Sequence, residues 1–243
     1  MITAKADIIT QLKKDLLSLQ GFKSTLNNSD LNAKLGPIKN AFPGKSFPLA
    51  AIHEFISVNS EDAAVTAGFV SGILGSLMKK GGVSIWIGSS KSIFLPALKS
   101  FGIAPDKIIF INLHKEKEIL WATEEALKSE GLAGVVAQLK ELDFTISRRL
   151  QLAVEKSQVT GFILRHNPRN INTTACISRW KISSLPSEVE DGMPGVGFPR
   201  WNVELIRVRN GKPASWKIEL VKGSFRHIYK IPAIPKIQKV QTG

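Results

Sequence analysis

The feature that most constrains the fold is a regular alternation of short apolar segments with longer helix-like ones between residues 50 and 165. The apolar segments predict strands at 50–56, 83–87, 107–113, 133–139 and 160–165. The segments between them predict helices at 60–80, 93–101, 117–129 and 143–157. Strands separated by helices indicate a parallel sheet that is buried on both faces.

After residue 165 the pattern changes. Segments 175–183, 201–209 and 214–221 are strand-like with no helix pattern between them, and Asn210-Gly211 is a strong turn signal. We therefore predict an α/β fold: a mostly parallel sheet flanked by helices, extended by an antiparallel hairpin at one edge.

The residue composition along the chain suggests four regions. Residues 1–20 carry Ile9, Leu12, Leu16 and Leu19 at helical spacing and predict an amphipathic helix. Residues 21–47, rich in Asn, Gly, Pro and Lys, read as a linker. The core domain is expected at 48–224, and residues 225–243 are expected to form a flexible basic tail.

The charge balance favours a polyanionic partner. The formal net charge is +13, and Lys and Arg gain by releasing the counterions of phosphates, so nucleic acid is the leading candidate. A basic surface that serves solubility alone is the alternative. Cys176 is the single cysteine, which excludes an internal disulfide, and the four histidines show no metal-ligand spacing.

One uncharged stretch, 63–78, invites comparison with a membrane segment. It is shorter than the ~20 apolar residues that a bilayer requires. Gly68, Gly72 and Gly75 instead predict a buried helix whose backbone closely approaches its neighbours. No membrane association and a cytoplasmic location are the expectation.

The turn after the first predicted strand has the outline of a phosphate-binding loop. Such loops need glycines, a lysine and a Ser/Thr in fixed order, and this turn has neither glycine nor lysine. Glu61 and Asp62 fall in the first helical turn, where we expect them to occupy the position of an anion. The loop is predicted to be inert towards nucleotide; its residues are Ser57, Asn59, Ser60, Asp62, Ala63 and Ala64.

Several arginines and one lysine are candidates for binding DNA or a partner. No Asp or Glu lies between Glu155 and Glu188, and in the predicted strand 201–209 two arginines share one face with Leu205. Solvated basic edges are the alternative reading. The candidates are Arg148, Arg149, Arg165, Arg169, Arg179, Lys181, Arg207 and Arg209. No acid pair, Ser-His pair or Cys-His pair has a spacing that argues for catalysis.

Four segments resemble the ImuA proteins, RecA-like accessory proteins of bacterial SOS-induced translesion synthesis. They read "LPALKSFGI", "ILWATEEALKSEGLAGVVAQL", "LDFTISRRLQLAVEKSQV" and "PRWNVELIRVRNGKPASWKIEL", and the similarity spans residues 48–221. The resemblance implies a RecA-like core. On that core the P-loop lysine and hydroxyl residue correspond to Ala63 and Ala64, the water-activating acid to Ser90, and the metal-site acid to Gln138.

With these replacements, the resemblance implies a protein that is not an enzyme and binds no cofactor. The two loops that carry DNA in RecA are short here, which argues against a RecA-type filament, and the lysines that RecA sends across its subunit interface correspond to Arg207 and Arg209.

The expected function is a non-catalytic adaptor in error-prone DNA repair. The implied partners are ImuB, RecA, an error-prone polymerase of the C family, and DNA. A division inhibitor of the SulA type acting on FtsZ is the alternative, and an ATPase with an unorthodox loop is third. The sequence leaves the oligomeric state open.

Overall fold

Strands and helices alternate along most of the chain, as the apolar pattern predicts. The computed structural model describes residues 29–88, 95–187, 197–221 and 224–228. The strands are β1 (Ile52–Ser57), β2 (Ser84–Gly88), β3 (Ile108–Asn112), β4 (Gly134–Gln138), β5 (Gly161–His166), β6 (Ser178–Leu185), β7 (Arg200–Val208), β8 (Ala214–Val221) and β9 (Ser224–His227).

The helices lie between these strands and before the first. The α-helices are α1 (Ser29–Leu35), α2 (Ser60–Met78), α3 (Leu95–Leu98), α4 (Glu116–Lys128) and α5 (Phe144–Ser157). Short 3-10 turns occupy Gly36–Ala41, Pro43–Lys45, Lys99–Phe101 and Pro105–Lys107. Within the described ranges, no helix combines the length and apolar character needed to cross a bilayer.

The described strands form one sheet in the order β3-β2-β4-β5-β1-β6-β7-β8-β9. All neighbours from β3 to β6 are parallel, and β6, β7, β8 and β9 are successively antiparallel. This confirms the predicted fold class. Strand β6 is itself parallel to β1, although residues 167–177, which connect it to β5, contain no helix.

Helices cover the two faces of the sheet. On the α2 face, α1 and α2 pack over an aromatic cluster that includes Phe55, Phe69 and Trp180. On the opposite face, here called the α5 face, α4 and α5 pack over an aliphatic cluster that includes Ile52, Val135 and Ile163. Both faces of the central parallel strands are therefore buried, which explains their continuous apolar sequences, whereas the edge strand β3 exposes Ile109 and Phe110.

Helix α2 packs closely because of its glycines, as predicted. A Cβ at Gly72 would lie 2.4 Å from the ring of Phe225, and one at Gly75 would lie 2.2 Å from the carbonyl oxygen of Phe101. No side chain fits in either space, so the glycines set the distance between α2 and its neighbours.

The segment predicted as a linker differs from expectation. From Ser29 onward it is folded, and its five large apolar side chains are at most 3% exposed: Leu31, Leu35, Ile38, Phe42 and Phe47. The Gly and Pro residues that suggested a linker instead form short 3-10 turns, which place these side chains in the aromatic cluster. Residues 1–28, which contain the predicted N-terminal helix, lie outside the described residues.

The start of the predicted flexible tail also belongs to the core. Residues 224–227 form β9, and Phe225 stacks on Phe69 with ring centroids 5.1 Å apart. The His227 imidazole lies 3.0 Å from the carbonyl oxygen of Leu35, which ties β9 to the end of α1. Residues 229–243 lie outside the described residues.

The predicted hairpin between β7 and β8 is present, but its connection runs from residue 209 to 213 and is longer than a two-residue turn. Asn210 adopts a φ of 54°, and the amide of Lys212 donates to the carbonyl of Ala41 at 2.9 Å. The longer loop therefore reaches back to the first 3-10 turn.

Candidate functional site

A cavity of about 640 Å³ lies at the carboxyl ends of β1, β4 and β5, beside the start of α2. In open α/β sheets this is the edge where ligands bind. Five residues of the predicted degenerate nucleotide site line it: Ser57, Ser60, Ala63, Ala64 and Gln138. Of the other three predicted positions, Asn59 and Asp62 do not line the cavity, and Ser90 lies outside the described residues.

The amide groups at the start of α2 are engaged within the chain. The side chain of Asn59 caps the helix by accepting from the amide of Asp62 at 2.7 Å, and the Asn59 carbonyl accepts from the amide of Ala63 at 3.1 Å. Ala63 and Ala64, which correspond to the P-loop lysine and the hydroxyl residue after it, carry only methyl groups. The loop therefore offers no cation to a phosphate.

The expected role of the two acids in the first turn of α2 is wrong. Glu61 and Asp62 turn away from the cavity towards β6, where the hydroxyl of Ser184 donates to Glu61 at 2.6 Å and its amide to Asp62 at 3.4 Å. Because Asn59 already caps the helix, the two carboxylates are not needed as caps. They instead accept hydrogen bonds from the end of β6.

Three of the described residues that line the cavity are charged: Glu116, Lys140 and Arg165, the last of which is paired with Glu54. The carboxylate of Glu116 accepts from the amides of Lys140 and Glu141 at 2.7 and 3.1 Å, so it fixes the turn after β4. Gln138 supplies an amide where a magnesium site needs a carboxylate. No group of three metal-ligating side chains occurs in the part of the chain that the structure describes.

A buried carboxylate, Glu54, organises the centre of the α5 face. Its side chain is fully buried in β1 and accepts from Arg165 Nη1 at 2.7 Å and from Arg179 Nε at 2.9 Å. The hydroxyl of Thr174 donates to the same carboxylate at 2.9 Å. Arg165 also meets the half-exposed Glu141 at 3.4 Å. Each buried charge thus has an opposite charge in contact, which such burial requires.

Residues 167–175, here called the pinned segment, directly follow β5. Four arginines donate to the backbone carbonyls of this segment. The bonds join Arg165 to Asn170, Arg179 to Asn172, Arg207 to Thr174 and Arg209 to Ala175, at 2.5–2.9 Å. The segment is fixed through its main chain; the guanidinium groups of Arg165 and Arg179 point into the protein, whereas Arg207 and Arg209 are half-buried.

These contacts correct the predicted basic strip. The side chain of Arg165 is 0% exposed and that of Arg179 is 10% exposed, so neither offers a surface to DNA. Arg169 is exposed, and Lys181 is half-buried opposite Glu204 on β7. Reversing the charge of Arg165 or Arg179 would disrupt the fold before it tested DNA binding.

The other predicted arginines separate into two places. On α5, Arg149 pairs with Glu124 of α4, whereas Arg148 lies 3.8 Å from Glu155 of its own helix. Arg207 and Arg209 share a face of β7, as predicted, but Leu205 is not on that face.

The cause is a bulge in β7. Leu205 pairs with Trp180 and Arg207 pairs with Arg179, so Ile206 is an extra residue opposite the junction of two adjacent residues of β6. The insertion reverses the alternation and leaves Leu205 on the α2 face while the arginines lie on the α5 face. A sequence-based prediction that assumes strict two-residue alternation along a strand does not reveal such an inserted residue.

Sequence reasoning missed two buried polar residues of β1. Glu54 organises the arginines, and the neighbouring His53 lies 2.6 Å from the hydroxyl of Ser178 and stacks on Phe47. Burial lowers the pKa of His53 to about 3, against a smaller opposing effect of its hydrogen bond to Pro48. The available signal was the presence of two ionisable residues inside an otherwise apolar strand.

Comparison with known proteins gives a consistent result. No protein-family model matches the chain. Two curated relatives, each named Protein ImuA, come from the NA1000 / CB15N and the ATCC 19089 / CIP 103742 / CB 15 strains of Caulobacter vibrioides. Each is 35% identical to this chain over 194 residues, which cover 75% of the chain and 80% of the relative.

Proposed function

Because this chain belongs to the ImuA family, we propose that it is a non-catalytic adaptor with a RecA-like core in SOS-induced error-prone translesion synthesis. The observation that carries the non-catalytic part is the composition of the cavity beside α2. The cavity has the size and position of a nucleotide site, but Ala63, Ala64 and Gln138 stand where phosphate and metal would be held.

The physical argument concerns charge. A bound triphosphate and its magnesium ion need a lysine, a hydroxyl and a carboxylate at fixed positions. An alanine methyl group offers no compensation for the phosphate charge, and the neutral amide of Gln138 offers little for the metal. The fold is intact although these groups are missing, so the proposed role rests on the shape and the surface of the folded chain.

The proposed partners are ImuB, RecA and an error-prone polymerase of the C family. Adaptors of this kind present rigid surfaces, and the nine-stranded sheet with a pinned segment provides one. The net charge of +13 favours work close to DNA. Direct DNA contact would involve exposed cations such as Arg169, since Arg165 and Arg179 are buried.

Two assays test this proposal. The purified chain should show no magnesium-dependent ATP hydrolysis and no binding of a fluorescent ATP analogue at about 1 mM, the upper end of usual KM values. The control is Ala64→Trp, which fills the cavity. Turnover that this substitution abolishes would refute the non-catalytic reading.

The second assay is co-purification with the ImuB protein of the same genome, with FtsZ as the matched negative partner. A stable complex with ImuB and none with FtsZ is expected. Retention of FtsZ instead of ImuB would replace the adaptor role with that of a division inhibitor.

A further inference from the structure

Helix α5 exposes a strip of large apolar side chains interrupted by one arginine. Phe144, Arg148 and Leu152 follow one another at intervals of four residues and therefore lie along one side of the helix. Phe144 is 56% exposed and Leu152 is 49% exposed. These three residues are called the α5 strip. The opposite side of α5, with Leu150 and Val154, packs in the core.

Helix α5 lies beside the end of β7 that carries the bulge. Ser147 of the helix and the side chain of Arg209 both hydrogen-bond to Ala175, and Arg148 and Glu155 act electrostatically on Arg209. The hydroxyl of Ser147 on α5 accepts from the amide of Ala175 at 2.9 Å, and Arg207 and Arg209 donate to the last two residues of the pinned segment. Helix, segment and strand thus meet at one corner.

This corner is positively charged. The guanidinium groups of Arg148 and Arg207 both act on that of Arg209, and the carboxylate of Glu155, 3.8 Å from Arg148, offsets part of this charge. Partial burial, together with repulsion from Arg148 and Arg207, lowers the pKa of Arg209. Beyond the corner, the α5 face of β6, β7 and β8 carries polar side chains, among them Lys181, Asn202 and Lys217.

We propose that the α5 strip, with Arg207 and Arg209 beside it, is a docking site for an acidic amphipathic segment of a partner protein. Apolar side chains of that segment would pack between Phe144 and Leu152, and its carboxylates would meet the three guanidinium groups. Carboxylates at this corner relieve the repulsion among the arginines, which is the charge complementarity that selects an acidic partner.

The apolar content favours protein over nucleic acid as the occupant. Protein interfaces combine aromatic and aliphatic anchors with arginine, and their energy concentrates in a few such residues. Interfaces with DNA are more polar and far more cationic, with phosphates met by many Lys and Arg side chains. At this corner two large apolar residues, Phe144 and Leu152, flank Arg148, which matches the composition of a protein interface.

The test uses the full chain and a fluorescein-labelled helical peptide of about 16 residues, long enough to be marginally helical. Its leucines recur at i, i+3, i+4 and i+7 with glutamates elsewhere, and a second peptide has lysines in place of the glutamates. Fluorescence anisotropy should show micromolar binding of the acidic peptide and none of the basic one. Arg148→Glu and the double variant F144A/L152A should each weaken binding by about tenfold or more.

Two exposed residues provide matched controls. Lys117→Glu reverses an exposed charge on α4, and Trp121→Ala removes an exposed ring from the same helix; both should bind the acidic peptide like wild type. No binding of the acidic peptide, or equal losses in controls and test variants, overturns the proposal. So does preferential binding of a labelled oligonucleotide that depends on Arg148 and not on Phe144 and Leu152, since the corner would then be a nucleic-acid site.

Discussion

Replacing Glu54 by Gln should destabilise the protein strongly while barely changing its shape. The substitution keeps the size of the side chain and removes the one negative charge that both Arg165 and Arg179 contact, at 2.7 and 2.9 Å. Glu141 then remains as the carboxylate near Arg165, and its side chain is 44% exposed. Two guanidinium groups are left in the protein interior with little compensation.

The expected loss of unfolding free energy is about 3–5 kcal/mol, the usual cost of removing one partner of a buried ion pair. A count of the bonds gives a similar size, because hydrogen bonds to charged groups contribute about 1.5–3 kcal/mol each and neutral ones about 1 kcal/mol. For a domain of this size each kcal/mol lowers Tm by about 2–4 °C, so we expect a shift of roughly 6–20 °C.

Urea unfolding followed by circular dichroism measures this loss, and hydrogen exchange should show faster opening of the pinned segment. Glu118→Gln is the control, since Glu118 forms an exposed pair with Lys115 at 3.1 Å and its loss should change stability by less than about 1 kcal/mol. A Glu54→Gln protein within about 1 kcal/mol of wild type, with unchanged exchange in residues 167–175, would refute the view that Glu54 holds the arginines in place.

Three further predictions concern stability and reactivity. The pKa of His53 is about 3 in the folded protein and about 6.5 in the unfolded chain, so the unfolded chain binds the proton at higher pH. The free energy of unfolding therefore falls as the pH falls from 6.5 towards 3. Urea unfolding should show a loss of about 2 kcal/mol at pH 5 that is absent in His53→Gln. Gly75→Ala should destabilise by about 1–3 kcal/mol in the same assay despite the better helix propensity of alanine, because its Cβ would meet the Phe101 carbonyl; a stabilised variant would contradict the close packing. Burial raises the pKa of the Cys176 thiol to about 12, so iodoacetamide at pH 8 should label it only after unfolding, and rapid labelling of the folded protein would contradict its burial.

The elements of the fold could be predicted because their periodicity is local. Helix α2 was expected at 60–80 and spans Ser60–Met78, and β8 matches its predicted bounds. The folded state of residues 29–47 could not be predicted in the same way. Gly and Pro mark both linkers and tight turns, and only the aromatic cluster decides that Phe42 and Phe47 are buried.

The site was predictable in part. The sequence located the degenerate loop and its alanines, because a missing lysine is visible without coordinates. It could not show which way the arginine side chains point, because a guanidinium group can donate hydrogen bonds either to water or to backbone carbonyls. That choice depends on residues 167–177, which connect two parallel strands without a helix, and on Glu54, which is more than 100 positions away from Arg165 and Arg179 in the chain.

The extra residue Ile206 has a consequence for reading other members of the family. A homologue that lacks this one residue would have a regular strand, in which the residue after Leu205 lies opposite Arg179 on the α5 face. Its arginine would therefore keep the same face and could still reach the carbonyl of Thr174. In an alignment the gap belongs at Ile206, and any other placement would pair Arg207 with a residue from the wrong face of the sheet.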